Sequence, residues 1–375
     1  MNIIALILIF TFGLLFSGCQ KEEPHSIVIG FFGALTGQEA TFGLSSKNGI
    51  LLALEEQNAQ GGLLGKKIEL KFYDTLGSAE EARLSVERLI TKDKVITVLG
   101  EVASTRSLAG APVAQKYQIP MITPSSTNPI ITQKGDYIFR ACFIDPFQGE
   151  VMAKFAFKSR GLKRAAVLRD QGSYYSSGLA QFFIKTFTSL GGTIVAEETY
   201  LGGDVDFQSQ LQKINKKNPE FIFIPGYYYE AAQIARQARE LGIKIPLMGG
   251  DGWDSESLID IAGEAMEGSF FTNHYTLEDP REEVQIFLKN YEKRFGFRPD
   301  SQAAAGYDAA RILFVAIKEA GTTEHGKLRD AIAKTKDHRG VTGIISINEN
   351  RDAVKSAVVI EVQKGKFKYV ETINP

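Results

Sequence analysis

Three hydroxyl side chains in a row, Ser125, Ser126 and Thr127, stand between Pro124 and Pro129 in the stretch ITPSSTNP. Hydroxyls and backbone N–H groups gathered at a turn or a helix start can grip a small anion such as a carboxylate. The same residue types also make ordinary turns and N-caps, so their company decides their chemistry. Ser104 opens a helix-like stretch after VITVLG and adds another hydroxyl. A second group has a different character. Tyr174 and Tyr175 follow AAVLRD, Tyr227 to Tyr229 follow FIFIPG, and Asp251 and Trp253 follow PLMGG. One carboxylate among aromatic rings suits an ammonium. Taken together the two groups describe a holder for a zwitterion such as an α-amino acid, its carboxylate on the hydroxyls and its ammonium near Asp251.

All of these residues follow short apolar runs, which fixes what must position them. SIVIGFFG, KIELKFYD, VITVLG and IPMITP read as strands, separated by the helix-like KNGILLALEEQNAQGG, SAEEARLSVERLITKD and STRSLAGAPVAQKY. Ala79, Ala82, Val86 and Leu89 recur at helical steps on one face, and Pro112 is expected to kink the third of these helices. The alternation then restarts: RAAVLRD, TIVAEETY, FIFIPG, PLMGGDG and EGSFFTNHY as strands, with three helices between the first four. Two further helices and a C-terminal hairpin, KSAVVIEVQKGKFKYVETI, complete the chain. Two runs of βα units predict two doubly wound parallel-sheet α/β lobes. In such sheets ligands bind beyond the carboxyl ends of the strands, where the polar residues above fall. Each residue alone has a bland reading as cap, turn or core; five furnished strand ends favour a site.

Composition narrows the function. The chain has 375 residues, long enough for two domains, and a formal net charge of -1 gives no reason to expect nucleic acid. The four histidines show no zinc spacing, and no G-x-S-x-G elbow or P-loop is present. We therefore expect no catalysis, no metal and no cofactor. Residues 1–18 are apolar and uncharged and end in LLFSGCQKEEP, which resembles a bacterial lipobox with Cys19 as the lipidated residue. No Lys or Arg precedes the apolar run, and Phe16 stands where Leu is commoner, so an uncleaved anchor is the alternative. Residues 19–25 read as a tether. Cys142 is the other cysteine and is expected to be buried and inert.

From about Ser26 onward the chain resembles the periplasmic solute-binding proteins for branched-chain amino acids. The resemblance rests on GALTGQEATFG, NAQGGLLGKKIEL, YDTLGSAEEA, MITPSSTNPIIT, YYSSGLA, IARQARELG and GGDGW, in family order across nearly the whole chain. It implies the type I periplasmic binding protein fold, two lobes joined by a hinge that the chain crosses several times. Lobe 1 is expected over 26–145 with 276–350, and lobe 2 over 146–275 with 351–375. The family's ligand positions fall on Phe42, Ser104, Ser125, Ser126, Thr127, Tyr175, Tyr227 and Asp251, with Tyr174 as a rival to Tyr175. Gly77 and Ala103 occupy places where some members have a disulfide. The implied function is the extracytoplasmic carrier of an ABC importer, a lipid-anchored monomer that delivers an amino acid to a membrane permease. The alternatives are a sensor of the same fold, or a carrier for an amide or aromatic acid.

Overall fold

A strand covered on both faces has no need of alternating polarity, and β1 (Ser26–Gly33), SIVIGFFG, lies at such a place. The computed structural model describes residues 26–375; the expected leader, Cys19 and the tether lie outside the described residues. After β1 come α1 (Ala40–Ala59), β2 (Lys67–Asp74), α2 (Ala79–Thr91), β3 (Val98–Gly100), α3 (Ser104–Lys116), β4 (Met121–Thr123) and β5 (Ile138–Arg140). The five strands form one parallel sheet in the order β2-β1-β3-β4-β5. Ser78 starts α2 by accepting a hydrogen bond from the Glu81 N–H, and Ala82, Val86 and Leu89 are its buried stripe.

The chain then builds α4 (Asp145–Lys154), β6 (Arg164–Asp170), α5 (Tyr174–Ser189), β7 (Thr193–Tyr200), α6 (Gln208–Asn215), β8 (Phe221–Phe223), α7 (Tyr228–Glu240), β9 (Leu247–Gly249), α8 (Glu256–Ala262) and β10 (Phe270–Asn273). It returns to the first lobe with α9 (Glu282–Phe295), α10 (Ser301–Ala320) and α11 (His325–Ala333). The small strands β11 (His338–Gly340), β12 (Gly343–Ile347) and β13 (Ala353–Val354) follow. Residues of α1 and α10 share one apolar core with β1, β3 and β4. The last hairpin, β14 (Ala357–Gln363) and β15 (Lys366–Ile373), closes the second sheet in the order β15-β14-β10-β9-β8-β6-β7. There β14 runs antiparallel to β10, and the strands from β10 to β7 are parallel. The fold is thus α/β with two doubly wound lobes. The chain leaves the first sheet after β5, leaves the second after β10 and rejoins it at β14.

Local reading missed several elements. The first helix begins at Ala40, ahead of the expected Lys47; Thr, Gly and Ser in ATFGLSS are weak helix formers. Tertiary contact holds that turn: a Cβ on Gly43 would lie 1.9 Å from the Ala34 carbonyl oxygen, so only glycine lets α1 seat there. The third helix continues past Pro112 to Lys116. β5, α4, α8, α11 and β11 to β13 were not read from the sequence. Most are short, and their ordering comes from neighbours rather than propensity.

Candidate ligand-binding site

The carboxyl ends of both sheets face one another across a cleft, and seven of the eight expected residues meet there. Phe42, Ser104, Ser125 and Thr127 come from the first lobe, and Tyr175, Tyr227 and Asp251 from the second; Val102, Gly252 and Gln302 complete the wall. The lobes are shut on one another. Phe42 and Val102 pack into the apolar core of the second lobe, with Phe42 edge-on to Tyr227 and Tyr228 at 5.9 and 5.0 Å. Asn128 Nδ2 donates to the Tyr174 carbonyl at 2.7 Å and Tyr174 N to Thr105 Oγ1 at 3.2 Å. The Tyr228 hydroxyl donates to the Gln38 carbonyl. In this form the walls leave about 10 Å³, room for about one water. A larger solute requires the lobes to stand further apart.

On the first lobe the turn after β4 is held so that two hydroxyls are left over. Arg140, fully buried, donates to the Ser126 and Asn128 carbonyls and to Asp352, which fixes the loop from beneath. Ser125 Oγ and Thr127 Oγ1 then have no protein partner although they are buried, and neither does Gln302 Oε1. Unsatisfied buried polar atoms are costly and call for a partner. Thr127 sits beside the Asp145 carboxyl, which burial raises well above the usual carboxylate range. Ser104 Oγ accepts from the Asn128 N–H at 3.2 Å. It opens α3, whose N-terminus carries no side-chain cap and so offers its positive dipole end. Ser126 stands apart from this set. Its hydroxyl lies 2.7 Å from Ser107 Oγ and 2.9 and 2.8 Å from the Glu101 and Val102 carbonyls, tying the loop to the end of β3.

On the second lobe the site is organised around Asp251, in a 3₁₀ turn Asp251–Trp253 that follows β9. Tyr175 hydroxyl and Gln148 Nε2 donate to its Oδ1 at 2.8 and 2.7 Å, and His274 Nε2 lies 3.0 Å from its Oδ2. Burial lowers the His274 pKa, outweighing the Asp251 carboxylate beside it, and burial with Asp251 raises that of Tyr175. The donors around Asp251 are therefore neutral, and its charge is left for something else to match. The glycines of GGDGW make the turn possible: a Cβ on Gly250 would meet the Tyr175 hydroxyl at 2.4 Å. Tyr175 and Tyr227 stack at 5.1 Å. Tyr174 is 55% exposed and outside the wall, so Tyr175 is the ring that faces the cavity. Trp253 is fully buried in the second lobe's core, its indole N–H donating to the Ile224 carbonyl, and it does not reach the cavity.

Gln148, His274 and Gln302 were not among the expected residues. His274 directly follows β10 but falls inside the expected strand EGSFFTNHY; Gln148 and Gln302 lie within helices and gave no strand-end signal. Glu101, which directly follows β3, is structural. It accepts from the Ala34 and Ala103 N–H groups and from Arg106 Nε at 2.6 Å, while Arg106 also pairs with Glu39.

Two lobes that bury a charged and hydroxyl-lined cavity between them define the class of cleft receptors that enclose a small solute. The chain belongs to the periplasmic binding protein family, whose model matches residues 26–366. It is similar to the leucine-, isoleucine-, valine-, threonine- and alanine-binding protein of Pseudomonas aeruginosa, 30% identical over 335 residues and 87% of each chain. Among solved structures it resembles the leucine-binding protein LivK of Thermotoga maritima, 42% identical with a TM-score of 0.90, covering 93% of this chain and 99% of that one. It also resembles the branched-chain substrate-binding protein LivJ of Streptococcus pneumoniae in complex with isoleucine, 34% identical with a TM-score of 0.89, covering 93% and 100%. Among the described residues there is no group of acids, His and Cys set to hold a metal, and no helix long and apolar enough to cross a membrane.

Proposed function

We propose that this protein is the extracytoplasmic solute-binding component of an ABC importer, and that it encloses a branched-chain amino acid between its lobes. The observation that carries this reading is the division of the donor set. Ser125 and Gln302 leave buried polar atoms unpartnered on one lobe, and Asp251 is an acid surrounded by neutral donors on the other. A zwitterion satisfies both at once, its carboxylate near Ser104, Ser125 and Thr127 and its ammonium at Asp251, with Tyr175, Tyr227 and Phe42 around the side chain. The names of the relatives support the same class of solute. The ligand-loaded form, with the lobes closed onto the solute, is then what a permease recognises, with the protein held at the membrane through Cys19.

The stacked tyrosines favour a second reading, a flat aromatic acid. A solute-binding protein of Rhodopseudomonas palustris, solved with benzoate, is 25% identical with a TM-score of 0.85. An aromatic acid has no cation for Asp251, which weighs against it. The test is a thermal-shift screen of the protein, unfolded and refolded to strip carried-over ligand, against leucine, isoleucine, valine, their amides and benzoate. Ligand at a thousand times its Kd adds about 4 kcal/mol, a rise of several degrees. Shifts with branched-chain amino acids alone are expected. A shift with benzoate and none with leucine would overturn the zwitterion reading.

A further inference from the structure

The three passages between the lobes meet. Phe143 of the first packs, tilted by 32°, against His274 of the second at 4.0 Å, and Lys355 of the third donates to the His274 carbonyl at 3.5 Å. Beside them opens a cavity of about 640 Å³, well within the 300–1,000 Å³ of small-molecule sites. Lys355 lines it together with Ile344, Val354, Val358 and Tyr369.

Lys355 is the unusual group there. Its side chain is buried, with 3% exposure, and it has no carboxylate within 4 Å among the described residues. Its one hydrogen-bond acceptor is the long contact to His274. Buried ammonium groups are ordinarily paired, because removing such a charge from water is costly. The acid that favours it most, Asp308, is already committed to the Val341 and Thr342 N–H groups and the Thr342 hydroxyl at 2.7 to 2.8 Å. The side-chain acids in the cavity wall are committed as well: Glu278 to Lys368, Asp279 to Arg281, and Asp337 to Ser346. Arg281 is spent on Asp279 and on the Gly340 and Val341 carbonyls. A second buried polar atom without a partner, His274 Nδ1, belongs to the same wall.

We propose that this hinge cavity is a second binding site, taking a small aliphatic monocarboxylate whose carboxylate pairs with Lys355 while its apolar body lies against Ile344, Val354 and Val358. Burial lowers the Lys355 pKa to about 7 against the smaller pull of Asp308, Cys142 and Asp251, with Arg281 lowering it further. An arriving carboxylate favours the ammonium, so binding takes up a proton and weakens as pH rises above 7. The site is separate from the cleft, yet His274 touches both Lys355 and Asp251.

The test is calorimetric titration of the protein with isovalerate, a branched carboxylate with no ammonium to offer Asp251. Saturable binding is expected, at least tenfold weaker in Lys355→Met and unchanged in Ser125→Ala, which lies in the cleft. Ile344→Glu, at a position 59% exposed and so tolerant of change, places a negative charge at the cavity mouth and should weaken isovalerate by a similar factor. Absence of saturable binding overturns the proposal. So does binding that survives both hinge substitutions, or that is lost in Ser125→Ala.

Discussion

Asp251 is held by Tyr175, Gln148 and His274, all of them neutral. That choice has a consequence at the scale of single residues. A buried acid paired internally with Arg or Lys would have its charge cancelled, whereas one oriented by neutral donors keeps it for a ligand cation. Ser125 is the complementary case, a buried hydroxyl that the surrounding loop leaves without a partner. The two should fail differently. Ser125→Ala removes one hydrogen bond to a charged group and should weaken leucine about tenfold. Asp251→Asn keeps the shape and removes the charge, leaving a ligand ammonium buried and unmatched, so it should weaken leucine at least about a hundredfold. Calorimetric titration of leucine into both variants checks this; equal, small losses would place the ammonium elsewhere.

At the scale of elements, the first turns of α1 and α7 act together. Phe42 near the start of α1 and Tyr228 at the start of α7 pack edge to face, and the Tyr228 hydroxyl reaches the Gln38 carbonyl across the cleft. These contacts exist only when the lobes are shut, so they bias the equilibrium before any ligand adds its share. Apparent affinity scales with the population of the competent form. Tyr228→Phe keeps the ring and removes a latch of the form too tight for leucine, so leucine affinity should rise several-fold while the melting temperature of the ligand-free protein changes little. A large fall in that melting temperature would mean the hydroxyl supports the lobe itself. None of this was legible in the sequence. The tyrosine run FIFIPGYYY marked a strand end and the family resemblance put Tyr227 at the ligand, but only packing assigns Tyr228 to the interface.

At the scale of the whole molecule, the lobes also meet through acids. Asp254 of the second lobe accepts from the Ser301 N–H at 2.6 Å, at the start of α10 in the first, and Asp300 is the N-cap of the same helix. Burial first, and the facing Asp254 second, raise the Asp300 pKa from 3.8 to about 7. A carboxyl raised in this way keeps its proton when folded and loses it readily when unfolded. Its contribution to stability is therefore complete below about pH 4 and declines as pH rises toward 7. Asp300→Asn retains a capping side chain without the charge, so its melting temperature relative to the parent should be higher at pH 8 than at pH 4.5. An identical difference at both pH values would remove Asp300 from the account. The shut form also leaves too little space for any solute beyond water, so a bound solute sets how far the lobes stop short of this closure.

The sequence by itself determined the two doubly wound lobes, because buried parallel strands require continuous apolar runs and their connecting helices a regular stripe, both of which are local patterns. It also determined that Ser104, Ser125, Thr127, Tyr175, Tyr227 and Asp251 fall near strand ends, where open sheets present their sites. Tertiary structure alone decided which atoms face inward. Ser126 turns to the Glu101 and Val102 carbonyls because the loop is held from beneath by Arg140, a residue in a strand the sequence did not reveal. Gln148, His274 and Gln302 join the site from segments far apart in the chain, brought there by the passages between lobes. Side-chain direction at a turn, and contact across a cleft, depend on neighbours remote in sequence, and no local pattern of residues records them.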